Sequence, residues 1–367
     1  MGIQTNLLDF RENSQVASSK GERDFDRLDA TEMTSPSELY RIHLADAFAW
    51  FEGRGKNSIH AIVTDPPYGL KEYSDAEKKK LRKGRGGVWR IPPSFDGCKR
   101  SPLPRFTVLD DGDIAKLSSF FTKFAEQAAR VLVPGGHVII ASNPLLSQYV
   151  YMPMIAAGFE KRGEIIRLIQ TLRGGDRPKN AHKEFYDVSV MPRSGWEPWG
   201  LFRKPCEGRV QDNLRKWGTG GLRRISSENP FVDVIESGPA RGEERKIASH
   251  PSLKPQAFMR QVVRAALPLG EGVILDPFMG SGSTIAAAIA VGYKSVGIEK
   301  DPAYYSVAAK AIPELARFTS NGANGRSNET RRVAKRPRVG SHQEGGYVRR
   351  EGDRGAGRPV FGASQCV

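Results

Sequence analysis

Short apolar runs alternate with longer stretches of helical period along the middle of the chain, and that alternation predicts a parallel α/β sheet. The run Ile59-His60-Ala61-Ile62-Val63 has the length and branching of a strand buried on both faces. Apolar residues at Ile114, Leu117, Phe121, Phe124, Ala128 and Val131 predict a helix over 114–132. Pro134-Gly135-Gly136 reads as its stop, with His137-Val138-Ile139-Ile140-Ala141 as the following strand. A second helix is expected over 149–157, closed by Gly158, and two more strands at 163–169 and 187–191. Further on, Phe258, Val262, Val263, Ala266 and Leu267 mark an amphipathic helix. Strand 272–275, an alanine-rich helix 284–291 ended by Gly292, and strand 295–298 complete the pattern. At its start, order is expected from Ser37, with a short strand to Leu44. Asp46 then sits at a strand end before a short helix through Phe48, Trp50 and Phe51. Such an aspartate is more often a helix N-cap than a ligand contact.

Four stretches break the pattern. Residues 1–36 are polar and read as an arm. Residues 71–105 hold the basic run Lys78 to Arg85, then Trp89 and several prolines. An irregular segment of that length is usually functional or disordered. It suits either phosphate contacts in a DNA-side flap, with Lys79, Arg82 and Arg85 as candidates, or a solvated charged loop. Over 193–250, Trp196, Trp199 and Trp217 lie among arginines and lysines that include Arg215, Lys216, Arg223 and Arg224. That mixture fits a nucleic-acid-contacting subdomain as well as it fits a loop-rich insertion whose tryptophans form a small core. Residues 319–367 have no apolar period and read as a disordered basic tail. Its Arg331-Arg332 and Lys335-Arg336-Pro337-Arg338 suit a phosphate-attracting tail better than a nuclear address.

The 367 residues hold enough chain for one large α/β domain and a smaller appendage. Lys and Arg number 56 against 41 Asp and Glu, a net charge of +15, which points to a polyanionic partner. The three cysteines show no metal-ligand spacing, so neither a disulfide framework nor a metal site is expected. With no membrane-length apolar run and no signal peptide, the chain reads as soluble, intracellular and cytoplasmic, with association to the nucleoid.

Two stretches carry chemistry. In Thr64-Asp65-Pro66-Pro67-Tyr68-Gly69-Leu70, paired prolines end the strand, so the chain turns with a carboxylate before the turn and an aromatic after it. In open α/β sheets that edge binds ligands. The second stretch is Asp276-Pro277-Phe278-Met279-Gly280-Ser281-Gly282-Ser283-Thr284. A strand, a Gly-x-Gly turn, a helix, a strand and then Glu299 form the adenosine-binding half of a doubly wound fold. Gly280 and Gly282 let backbone approach a ligand closely, and Glu299 can accept both ribose hydroxyls. The third glycine of the dinucleotide fingerprint is replaced by Ser283-Thr284, which favours a phosphate-free adenosine ligand such as S-adenosylmethionine over a pyrophosphate.

Taken together and in this order, D-P-P-Y and D-P-F-M-G-S-G-S-T resemble the β-class amino-methyltransferases of DNA. The resemblance covers residues 38–315. It implies an α/β fold, a doubly wound, mostly parallel, Rossmann-like sheet with a small target-recognition insertion. The implied division is an arm at 1–36, a catalytic half at 37–202, the insertion at 203–249, a cofactor half at 250–318 and the tail at 319–367. Asp65, Pro66, Pro67 and Tyr68 are the implied catalytic residues. Asp46, Lys254, Asp276, Pro277, Phe278, Gly280, Ser281, Gly282, Thr284 and Glu299 are implied around S-adenosylmethionine, Lys254 through its place in the His250-Pro251 to Lys254-Pro255 lead-in. Double-stranded DNA is the implied partner, alongside a cognate restriction endonuclease, with a monomeric or homodimeric state.

The implied chemistry is transfer of a methyl group to an exocyclic amine. Asp65 and the Pro66 carbonyl accept the two N–H hydrogens of a flipped base while Tyr68 stacks on it. In this family an aspartate before P-P-Y tends to mark adenine N6 and a serine cytosine N4, so adenine is the expected base and cytosine the alternative. A nicotinamide oxidoreductase would leave D-P-P-Y unexplained, and a non-catalytic DNA-binding module would keep the fold without binding the cofactor.

Overall fold

The computed structural model describes residues 33–34, 39–67, 110–169, 178, 180–192, 194–240, 242–248 and 253–319. Nine strands among these form one sheet. They are β1 (Met33–Thr34), β2 (Tyr40–Leu44), β3 (Ile59–Thr64), β4 (Leu132–Ala141), β5 (Glu160–Leu168), β6 (Trp196–Arg203), β7 (Val234–Glu236), β8 (Val273–Asp276) and β9 (Lys294–Glu299). Their spatial order is β1-β2-β9-β8-β3-β4-β6-β5-β7. The central ladders β2–β9, β9–β8, β8–β3 and β3–β4 are parallel, while β4–β6 and β6–β5 are antiparallel. The sheet is doubly wound and mostly parallel, as the alternation predicts.

Both faces are covered, which is why β3 is buried along its whole length. On one face lie α1 (Ala47–Glu52), α2 (Asp111–Val131) and α3 (Ser147–Ala156), packed on alternate residues such as Ile62, Val138, Ile140 and Leu275. On the other lie α6 (Gln256–Ala266) and α7 (Ser283–Ala290), packed on Ala61, Val63, Ile139 and Ile274. The helix α8 (Pro302–Arg317) closes against α7 and Ile42 of β2. Between β6 and α6 the chain forms the short helices α4 (Val210–Trp217) and α5 (Glu243–Ile247). Helix α2 begins in a capping box, with Asp110 and Asp113 exchanging side-chain and backbone hydrogen bonds, and buries Leu117, Phe121, Phe124 and Val131. Each such side chain contributes about 1.5–3 kcal/mol.

Three expectations change. The Pro134-Gly135-Gly136 stop lies inside β4, which starts at Leu132 rather than His137. The β3–β4 register shifts between Ile59↔Leu132 and Ala61↔His137, so an irregular stretch absorbs the proline and glycines. Gly135 takes φ +76°, and its N–H reaches the carbonyls of Lys204 and Pro205 instead of the ladder. Second, residues 187–191 are turn and irregular chain; the strand comes at β6, within the stretch read as irregular. Pro198 and Gly200 disguise it, yet Pro198 accepts from Ser142 N–H, and a Cβ at Gly200 would stand 2.6 Å from the Tyr151 ring. Third, the polar arm contributes β1, paired with β2. The rest of 1–36 and all but the first residue of 319–367 lie outside the described residues. Among the described residues no helix is long and apolar enough to cross a membrane, and no group of His, Cys, Asp and Glu could hold a metal ion.

Candidate active site at the carboxyl edge of the sheet

Strands β3 and β8 are neighbours whose onward connections diverge: β3 leads to β4 on one side and β8 to β9 on the other. Such a switch point opens a crevice at the carboxyl ends of the strands. Both motifs leave the sheet there. The D-P-P-Y turn follows Thr64, the last residue of β3, and the glycine turn follows Asp276, the last residue of β8.

A buried hydrogen bond joins them. Thr64 Oγ1 donates to Asp276 Oδ1 at 2.7 Å, and the Phe278 N–H donates to the same oxygen at 3.1 Å. Burial pushes the Asp276 carboxyl up to about 6, against hydrogen bonds from Thr284, Thr64 and the Phe278 backbone. Asp276, Ser281 and Thr284 are therefore interior groups that shape the turn, and Pro277 is buried with them. Phe278 turns toward α2, its ring 5.6 Å from Phe120 and 5.9 Å from Phe124.

Glu299 ends β9 and holds the turn from the other side. Its Oε2 accepts from Gly280 N–H at 3.0 Å and its Oε1 from Asp301 N–H at 2.8 Å. Gly280 and Gly282 take φ +53° and +83°, conformations that suit glycine. A Cβ at Gly282 would lie 2.4 Å from Ile312, so α7 begins in tight contact with α8. Leu44 of β2 is in register with Glu299, which brings Asp46 to the next strand end. The Asp46 carboxylate is exposed and caps α1, accepting from Phe48 and Ala49 N–H at 2.9 and 3.2 Å. The donor and acceptor set fits a ribose-bearing ligand. Two acids stand at neighbouring strand ends, beside a turn whose glycines admit close approach. The helix after the turn keeps its own hydroxyls occupied: Ser283 accepts from Lys254 N–H, and Thr284 bonds Asp276.

Beside Asp65 lies a chain of charges. Lys254 Nζ is 2.9 Å from Asp65 Oδ2 and 2.9 Å from Glu197 Oε1. Glu197 Oε2 accepts from Arg167 Nη1 at 3.0 Å, and Glu197 Oε1 also accepts from the Trp199 indole at 3.0 Å. The four charged side chains are between 4% and 20% exposed, so solvent screens them little. Burial pulls the Lys254 ammonium down, but Asp65 and Glu197 outweigh it and hold it above its ordinary value. Burial pushes Glu197 up, and Lys254 and Arg167 outweigh that in turn, leaving it below its usual range. Lys254, expected on the cofactor, thus joins Asp65 to β6. Sequence reasoning missed Glu197 and Arg167. Glu197 lies in the segment without visible period and Arg167 in an expected strand, and nothing local shows that the two pair across an antiparallel ladder.

The remaining candidates fall elsewhere. Pro66 is buried and Pro67 exposed beside Asp65. Tyr68, Lys79, Arg82 and Arg85 lie outside the described residues. Arg215, Lys216, Trp217, Arg223 and Arg224 are not brought to Asp65 but to the opposite, amino-terminal edge. Helix α4 is anchored there by Asn213 and Thr219, which donate to the Pro134 carbonyl near the start of β4. Arg215 pairs with Asp212, and both Lys216 and Trp217 donate to Glu207. Arg223 donates to the Tyr293 hydroxyl just before β9, and Arg224 to carbonyls of 226–228. Trp199 is a core residue, its ring tilted against that of Phe258.

A doubly wound sheet with a carboxylate turn and a glycine turn at its switch point defines an α/β protein with a candidate ligand crevice beside Asp65. The sequence profile of the N6/N4 DNA methylase family matches residues 59–310. The type II methyltransferase M2.LlaDCHI of Lactococcus lactis subsp. cremoris is 30% identical over 280 residues, covering 75% of this chain and 89% of the relative. M.HindIII of Haemophilus influenzae is 23% identical over 295 residues, covering 74% and 94%. Among solved structures, the cytosine-N4-specific PvuII DNA methyltransferase aligns with a TM-score of 0.49 at 14% identity, covering 79% and 89%. The chain belongs to the N6/N4 family of DNA methylases.

Proposed function

We propose that this chain transfers a methyl group from S-adenosylmethionine to the exocyclic N6 amine of adenine in double-stranded DNA. The observation that carries the reading is the placement of Asp65 and the Gly280–Gly282 turn on adjoining strand ends, locked by the Thr64–Asp276 hydrogen bond. The bound donor supplies an electrophilic methyl group. The protein's part is to hold the target nitrogen in line, and Asp65 and the Pro66 carbonyl do so by accepting its two N–H hydrogens. That draws the lone pair out of conjugation with the ring. Placement of this kind supplies most of the acceleration such a step needs. Glu299 takes the ribose hydroxyls of the donor and Asp46 lies toward its adenine. The aspartate that leads P-P-Y favours adenine over cytosine. Mass spectrometry of nucleosides from mixed-sequence duplex DNA, incubated with the protein and S-adenosylmethionine, tests this. N6-methyladenine supports the reading, N4-methylcytosine overturns the base assignment, and no methylated nucleoside overturns the function.

A further inference from the structure

The chain of charges that starts at Asp65 ends nowhere near the glycine turn. It runs from the tip of β3 through Lys254 to Glu197 at the start of β6, and then to Arg167 near the end of β5. Because β6 is antiparallel to both β4 and β5, these three strand ends meet at the same edge as the site. The neighbours of these charges on that face are Ile165, Trp199, Ile235 and Phe258, an apolar cluster that could have continued. Buried ion pairs contribute little net stability compared with apolar residues of the same volume, because desolvation offsets their attraction. A line of four alternating charges at a reactive edge therefore calls for a functional reason.

That reason lies in the position of Lys254. An ammonium 2.9 Å from Asp65 competes with the target amine for the carboxylate that must accept its hydrogen. Glu197 offers the same ammonium an equally close second carboxylate. Glu197 is itself fixed by Trp199 and by Arg167, and Arg167 is tied down by Ser237 Oγ at 3.3 Å and the Gly238 carbonyl at 2.9 Å. Going from Asp65 to Arg167 the charges alternate, so Lys254 stays paired with a carboxylate when it leans toward Glu197 and loosens its hold on Asp65.

We propose that Glu197, held by Arg167, is a positioning residue for methyl transfer: it shares the Lys254 ammonium with Asp65 and so leaves Asp65 able to accept the hydrogen of the target amine. Without Glu197, Lys254 has Asp65 as its one carboxylate partner in this chain of charges, and the amine must displace a tighter ion pair. This rests on the assignment of Asp65 under Proposed function.

The test is a set of variants assayed for single-turnover methyl transfer, cofactor dissociation constant and thermal midpoint. Glu197→Gln is expected to slow transfer by about 10- to 100-fold, the scale of a misplaced reacting group, while cofactor affinity stays within about twofold of the parent. Glu197→Asp, which keeps the charge, is expected to recover part of that rate. Should Glu197→Gln fail to fold, the charge-conserving Glu197→Asp and Arg167→Lys carry the test, with rates expected to fall while cofactor affinity holds. Parent-like rates in the folded variants overturn the proposal, as does a parallel fall in rate, cofactor affinity and thermal midpoint. Asp65→Ala in the same series separates the two readings: an active Asp65→Ala overturns the assignment of Asp65, whereas an inactive one beside a fully active Glu197→Gln overturns the role of Glu197 alone.

Discussion

Thr64 and Asp276 stand 212 residues apart in the chain and are joined by a 2.7 Å hydrogen bond between buried side chains. The bond connects the last residue of one motif-bearing strand to the last residue of the other, so the two turns keep a fixed separation. Thr64→Val retains the shape and removes the donor, leaving a buried carboxylate short of one partner. Unfolding in urea is expected to show a loss of about 1–3 kcal/mol, and cofactor affinity is expected to fall with it, since Asp276 also holds the Phe278 backbone. A variant as stable as the parent would show that the bond does not hold the motifs together.

Buried titratable groups give the fold two opposed pH dependences. The folded pKa of Asp276, about 6, lies above the ordinary aspartate value of 3.8. The folded state then binds more protons in that window, so this contribution is present below about 4 and is lost as pH rises through 6. His60 is the reverse case. Burial lowers it from 6.5 to about 4, and its Nδ1 accepts from Val273 N–H, which requires the neutral ring. Its contribution is complete above 6.5 and disappears as pH falls toward 4. Asp276→Asn is expected to make stability rise more steeply with pH between 4 and 6, and His60→Asn to make that rise shallower, while His137, lowered by burial to about 3, keeps part of it in both variants. Stability curves against pH for the two variants check both signs.

Glu299 spends each carboxylate oxygen on a backbone N–H, one in the glycine turn and one at Asp301. Glu299→Ala is expected to weaken S-adenosylmethionine binding by about tenfold or more, because it removes the carboxylate proposed to accept from the ribose, each such charge-assisted hydrogen bond being worth about 1.5–3 kcal/mol, and frees the Gly280 N–H of the glycine turn. Calorimetric titration reads this directly. Unchanged affinity would remove Glu299 from the cofactor site.

The basic residues of α4 and the loop after it lie at the edge of the sheet opposite Asp65, paired with Asp212 and Glu207 or with carbonyl groups. Arg215→Ala combined with Lys216→Ala is expected to leave both DNA affinity and its salt slope unchanged. Each lost phosphate contact would reduce that slope by about 1. A reduced slope would place DNA at the amino-terminal edge.

How much of this was legible in the sequence depended on how far each residue's partner lay along the chain. The strands β3, β8 and β9, the helices α2, α6 and α7, and the positions of Asp65, Gly280, Gly282 and Glu299 follow from local pattern and spacing. Strand β6 did not, because Pro198 and Gly200 are tolerated only through Ser142 and Tyr151, contacts no local reading supplies. For the same reason Glu197 passed as a member of an irregular stretch, and Arg167 as one polar position of an expected strand. The basic residues of 215–224 read correctly as basic, but their composition carried no information about which edge of the sheet they occupy. Asp46 was legible as a helix cap from its place at a strand end, and it caps α1.

Asp65 carries the proposed chemistry. Single-turnover methyl transfer by Asp65→Ala, measured beside its S-adenosylmethionine dissociation constant, tests it most directly. The expected result is a rate lower by about 100-fold or more, with cofactor affinity within about twofold of the parent. Parent-like transfer would show that the carboxyl end of β3 is not the reaction centre.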